Sequence, residues 1–319
     1  MADNHCLLSF NGKSPLYQLL VSLLIVLVVG ILLFTIFLVA GILIFDADLG
    51  SLEIPPSHPT QKETAFLRYI LISQQVSLFI VPAIIILVKL NPVRQFSLKD
   101  IKMPSIKEVL FVIVLAFCIF PITGFTGELN SGMHLPDSLA GVEQWMIEKE
   151  DYASRLEDLF MAPDTFWVMI FNVLMIAVIP AVGEELIFRG VFQKILTKLF
   201  KSGHLAIWVT AFVFSTIHFQ FFGFIPRFIL GLIFGYLFFW GGTLWLPVIS
   251  HFVNNAVPTI AAYIQGWDNY NTFQDIPFWK LIIGLLVPVL ISIMILSHFR
   301  NKSKKNAELS KDNFKVPDI

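Results

Sequence analysis

Residues 19–37 contain no charged side chain, and apolar runs of this kind recur along the whole chain. A helix of about 20 apolar residues crosses roughly 30 Å of hydrocarbon. Eight intervals meet that length: 17–45, 66–90, 108–127, 165–183, 204–221, 224–240, 243–263 and 277–298. Inside a bilayer no water satisfies the backbone, so each N–H and C=O must pair within the protein. Barrel strands would alternate in polarity over segments of about 10 residues. These runs are continuous and read as helices. The sequence therefore predicts an all-α, polytopic membrane bundle of about eight transmembrane helices, with 1–319 as a single membrane domain.

Composition agrees: 56% of residues are hydrophobic and 14% charged, against about 25% charged in soluble domains. The first run is longer than the 7–15 or so apolar residues of a signal peptide and reads as a retained helix. With eight spans both termini share one side. Placing them in the cytoplasm puts 16 of the 22 Lys and Arg residues in cytoplasmic segments, as the positive-inside rule requires. The expected location is multi-pass in a plasma membrane, the inner membrane of a bacterium. A net charge of −1 gives no reason to expect a nucleic-acid partner. Cys6 and Cys118 are too isolated for a disulfide framework or a metal knuckle.

The connection 128–164 is acidic, and Leu139, Val142, Trp145, Met146, Leu156, Leu159 and Phe160 recur within it at nearly helical spacing. An amphipathic helix lying at the outer interface is expected there. The polar residues 300–319 are expected to form a disordered tail.

Ionisable groups at membrane depth are costly and by default mark function. Glu184 and Glu185 are neighbours in a Glu-Glu-x-x-x-Arg pattern ending at Arg189. On a helix they point about 100° apart, so they take different jobs. Arg189 is one turn from Glu185 and pairs with it. Glu184 is left to face the bundle interior as a general base. The competing reading of Glu185 and Arg189 is solvated charge at a cytoplasmic helix end. Pro180, just upstream, frees a carbonyl and bends the helix. His218 closes a Phe-x-x-x-His pattern, with Phe214 one turn earlier. The alternative for His218 is a hydrogen-bonded core residue. His251 and Asn255 share a helix face, and two donors converging on one point suit an oxyanion hole. Asn255 alternatively makes an inter-helix hydrogen bond. Asn254 is expected to face elsewhere.

These three patterns, in this order and with Gly241-Gly242-Thr243-Leu244-Trp245-Leu246-Pro247 leading into His251, resemble the CPBP family of intramembrane glutamic endopeptidases. That family includes type II CAAX prenyl endopeptidases and lysostaphin-resistance-like proteins. The resemblance covers 165–263, the expected catalytic core. It implies that Glu184 activates water with help from His218, that His251 and Asn255 steady the oxyanion, and that Glu185, Arg189 and Phe214 support them. A peptide or lipidated protein substrate and a bilayer are the implied partners, and no cofactor is implied. A His₂Glu zinc site of Glu184, His218 and His251 is a minority alternative. Because the span 165–183 ends just before Glu184, the reaction is expected near the cytoplasmic side. Two non-proteolytic readings stay open: an immunity or scaffold protein binding a partner through the same polar core, and a transporter. The second lacks a repeated pair of broken helices.

Overall fold

The structure, a computed structural model, describes residues 10, 12–47, 59–90, 100–161, 165–266 and 278–312. Cys6, Asp164 and the end of the polar tail, 313–319, lie outside the described residues. Among these residues every long element is a helix and there is no strand: α1 (Pro15–Phe45), α2 (Gln61–Val88), α3 (Ile106–Ser131), α4 (Ala140–Met161), α5 (Phe166–Phe200), α6 (Gly203–Thr216), α7 (Phe224–Gly241), α8 (Trp245–Gln265) and α9 (Phe278–Asp312). Six of them (α1, α2, α3, α5, α7 and α9) contain stretches long and apolar enough to cross a membrane. The chain is an all-α, multi-pass membrane bundle. The intervals 204–221 and 243–263 are largely helical too, but α6 has only 14 residues and α8 carries a polar stripe.

Local chemistry sets the helix starts. The first turn of a helix has unpaired N–H groups, which a Ser or Thr oxygen satisfies. Ser14 does this for α1, with Pro15 in the first turn, where its missing N–H costs nothing. Thr60 with Glu63, and Ser105 with Glu108, form reciprocal capping boxes at the starts of α2 and α3.

Two expected boundaries are corrected. The fourth run does not end at 183: α5 continues to Phe200 over 35 residues. Charge at 184, 185 and 189 suggested a helix end at the membrane surface, but Glu185 and Arg189 neutralise each other inside the protein and the helix runs on. The polar stretch 300–312 is helical rather than irregular, continuing α9 to Asp312. Lys302, Lys304, Lys305, Ala307 and Glu308 are good helix formers, and cations suit a helix C-terminal end. An amphipathic helix does occupy the acidic connection, as α4.

The bundle has two chemically distinct ends. At the basic end the Phe10 N–H donates to the Leu90 carbonyl, and Lys194 pairs with Asp100 at 2.6 Å. There too the Leu244 N–H donates to the Asp100 carbonyl, the Thr243 hydroxyl donates to the Lys102 carbonyl, and Lys302 pairs with Glu108. The acidic end carries α4 and the turn joining α6 to α7. α5 runs between two cores. One joins α1, α2, α5 and α6 around Ile86, Ile187, Phe188 and Phe214. The other joins α3, α7, α8 and α9 around Leu115, Phe234, Leu246 and Phe299. A smaller cluster of Leu67, Phe160 and Met175 fastens the end of α4 to α2 and α5.

Candidate active site

Glu184 lies in the middle of α5. Gly183 lets α2 approach closely: a Cβ there would stand 2.9 Å from Ile80 Cγ1. That approach brings Gln75 within reach, and its Nε2 donates to Glu184 Oε1 at 3.1 Å. The other oxygen, Oε2, faces His251 Nε2 at 3.9 Å.

Glu185 turns away into the protein. Its two oxygens meet Arg189 Nε and Nη1, each at 3.1 Å, and its Oε1 also accepts from His251 Nδ1 at 3.0 Å. Arg189 completes its contacts by donating from Nη2 to the Gly231 carbonyl at 2.9 Å. Its guanidinium carbon lies 5.0 Å from the Phe214 ring centre and 5.6 Å from that of Phe234. Both members of the pair are 0% exposed, so the solvated-charge reading does not hold. A buried ion pair needs further partners; His251, Gly231 and the aromatic faces supply several, while Glu185 Oε2 and Arg189 Nε meet only each other, without hydrogen-bond geometry. Gly231 permits the close approach of α7 to α6, since a Cβ there would sit 3.0 Å from Ala211 Cα.

His218 follows the end of α6, in a turn where Phe219 adopts a left-handed φ of 52°. Its Nδ1 lies 2.7 Å from the Phe214 carbonyl. A carbonyl only accepts, so Nδ1 carries the proton and Nε2 of the neutral ring presents a lone pair. Phe214 sits between the two imidazoles, with ring centres 5.0 Å from His218 and 6.1 Å from His251. Phe234 stacks on His251 at 5.0 Å.

Asn255 Nδ2 donates to the Ile176 carbonyl at 3.2 Å. That carbonyl is the one whose usual helical donor would be residue 180, and Pro180 has no N–H. The segment before Pro180, Leu174–Val178, has relaxed to π-helical turns. Asn255 thus makes an inter-helix bond and retains one further amide N–H. Asn254 does not face elsewhere. It donates to Asn255 Oδ1 at 3.2 Å and lines the same cavity. Positions three and four after His251 both fall on its helix face.

A cavity of about 600 Å³ brings these groups together. Glu184, Phe214, His218, His251, Asn254 and Asn255 line it, whereas Glu185 and Arg189 lie behind its wall. Among the described residues no three His, Cys, Asp or Glu side chains form a metal-ligand group. His251 Nδ1 is engaged by Glu185, which fixes the ring and leaves Nε2 facing Glu184 and the cavity.

The three groups lie at similar depths along their helices. Lys194, at the basic end, is ten residues past Glu184, about 15 Å at 1.5 Å per residue. His251 is eight residues past Thr243, about 12 Å. α5 extends about 9 Å beyond Lys194 before turning into α6, which brings His218 to about 13 Å. All three groups therefore lie well inside the bundle, beyond the basic end.

Residues 165–257 match a family described as type II CAAX prenyl endopeptidase Rce1-like. This segment is similar to that family. It runs from the start of α5 into α8 and carries all three motifs. The family implies a membrane peptidase. YpbD, an uncharacterized protein of Bacillus subtilis (strain 168), is 27% identical over 90 residues, which cover 27% of this chain and 43% of that protein. The chain thus matches less than half the length of this relative. No solved structure matches it.

Several site residues escaped sequence reasoning. Gln75 and Glu157 lie outside the Rce1-like segment, on α2 and α4, and no motif marks them. Arg227, within it, also lines the cavity and grips the α6–α7 turn. Its Nη1 and Nη2 donate to the Gln220 carbonyl and side-chain oxygen at 2.9 and 2.6 Å. Phe234 was legible only as one of many phenylalanines.

Proposed function

We propose that this protein is an intramembrane endopeptidase of a bacterial plasma membrane, hydrolysing a peptide bond in a membrane-associated or lipidated protein. Water held in the cavity gives up a proton to Glu184 as its oxygen attacks the scissile carbonyl. His218 Nε2 accepts the water's second hydrogen bond and orients its lone pair. The tetrahedral oxyanion meets donors from α8: the remaining amide N–H groups of Asn254 and Asn255, and His251 Nε2–H when that ring is protonated. Collapse breaks the C–N bond, and the proton held by Glu184 passes to the departing amine. The products are one carboxylic acid and one amine, and a proton passing between them gives the carboxylate and ammonium forms.

Glu185 and Arg189 do not touch substrate in this scheme. They hold His251 through Nδ1, leaving Nε2 aimed at the cavity, and they tie α5 to α7. No step runs through a metal.

The observation that carries the reading is the 3.9 Å approach of Glu184 to His251 in a cavity that His218 also lines. Terminal-peptide mass spectrometry of membranes from wild-type and Glu184→Gln cells tests it. Protein termini present in wild type and lost in the variant support the peptidase. Identical sets of termini in both, with the variant normally folded and abundant, would leave an immunity or scaffold role.

A further inference from the structure

From Glu184 the cavity extends toward one end of the bundle. On α5 its wall runs from Glu184 back through Pro180 to Met175, and on α8 from His251 through Asn255 to Thr259. Both series lead from the candidate base toward the acidic end. In the opposite direction Ile187, Phe188, Arg189 and Val191 are at most 3% exposed and form a solid floor. A buried ion pair cannot part to admit a peptide without a large cost.

Toward the acidic end the cavity passes under α4, which contributes Ala153, Leu156 and Glu157. A second cavity of about 740 Å³ shares Ala153, Leu156, His218 and Gln220 with the first and adds Trp145, Lys149 and Tyr152. The two form one passage between α4 and the α6–α7 turn. Backbone and amide groups along it can pair with an extended peptide, and the aromatic rings can hold its side chains.

The basic end carries Lys102, Lys107, Lys194, Lys198, Lys201 and Lys302. Positive charge of this density marks the cytoplasmic face. We infer that the substrate is a peptide segment reaching Glu184 from the non-cytoplasmic side of the bilayer, through the passage between α4 and the α6–α7 turn. This rests on the peptidase reading for its chemistry, but the direction of access stands on the fold and on charge alone.

Single-cysteine labelling tests the direction without a substrate. In a Cys6→Ser background, with Cys118 buried, Tyr152→Cys lies in the passage and Lys198→Cys lies at the basic end. A membrane-impermeant maleimide should modify Tyr152→Cys in intact cells and Lys198→Cys only in inverted vesicles. Ser154→Cys, on the exposed face of α4, gives the same readout should Tyr152→Cys fail to fold. The opposite pattern would overturn the inference. The termini that depend on Glu184 add a second arm. They should map to non-cytoplasmic or outer-half segments of their substrates. Glu184-dependent termini confined to cytoplasmic tails would refute this access route while leaving the peptidase intact. Termini unaffected by Glu184→Gln, with labelling as expected, would refute the peptidase and leave the route.

Discussion

Arg189→Met removes the guanidinium from a site where it makes two contacts to Glu185 and one to the Gly231 carbonyl, all within 3.1 Å. Methionine fills much of the volume but donates nothing. Glu185 is then a fully buried carboxylate with His251 Nδ1 as its remaining donor. Removing one partner of a buried pair costs about 3–5 kcal/mol, chiefly because the other charge is stranded. The double variant Glu185→Gln/Arg189→Met carries no stranded charge, so it should recover about half of that loss. Unfolding midpoints in mixed detergent micelles, followed by tryptophan fluorescence, measure all three chains. Cleavage should fall in both variants, because the side chain at 185 that aims His251 is no longer held by Arg189. If the double variant is as unstable as Arg189→Met to within about 0.5 kcal/mol, the limit of simple additivity, then the pairing argument is wrong.

Gln75→Leu removes the donor to Glu184 Oε1 and should lower kcat about tenfold or more, the scale of a lost hydrogen bond to a charged group, with little change in KM. Unchanged kcat would show that Gln75 only fills space. Asn255→Ala should cost about 1–3 kcal/mol by leaving the Ile176 carbonyl without its side-chain donor. In a Pro180→Ala background, where residue 180 regains an N–H, the same substitution should cost less, and equal costs in both backgrounds would refute the link. Gly183→Val should separate α2 from α5 and abolish cleavage, because its Cβ would press on Ile80; a variant with normal activity would contradict that packing. Glu157 has a carboxyl held above its usual range by the surrounding protein and by Asp158, with Arg227 opposing and Glu150 adding to the rise. The native state then binds this proton more tightly than the unfolded chain, so stability falls as pH rises from the unfolded value near 4.5 through the native one. Glu157→Gln should flatten that slope in pH-dependent unfolding, and an unchanged slope would assign it to another group.

The long apolar rods were legible because a bilayer allows few alternatives, and the Glu185–Arg189 pair because i and i+4 meet on any helix. The end of α5 was not. A charge reads as a surface marker until its partner is known, and the Gly231 carbonyl that completes the Arg189 site belongs to another helix. The helical C-terminal stretch of α9 was missed because composition shows polarity but not the continuation of a preceding helix. Asn254 was misplaced by neglecting that three residues, like four, return to the same face. Gln75 carries no local signal, since its bond to Glu184 spans 109 positions of sequence. The three motifs named the groups that line the cavity. The packing that aims them came from α2, α4 and α7, where tertiary contact rather than pattern decides.

Hydrolysis by purified protein in ¹⁸O-labelled water addresses the chemistry itself. A membrane substrate identified by its Glu184-dependent terminus would be incubated with wild-type and Glu184→Gln protein in liposomes, and the new carboxyl terminus weighed. Label is expected in the wild-type product, and no product is expected from the variant. Equal cleavage by Glu184→Gln would contradict this chemistry.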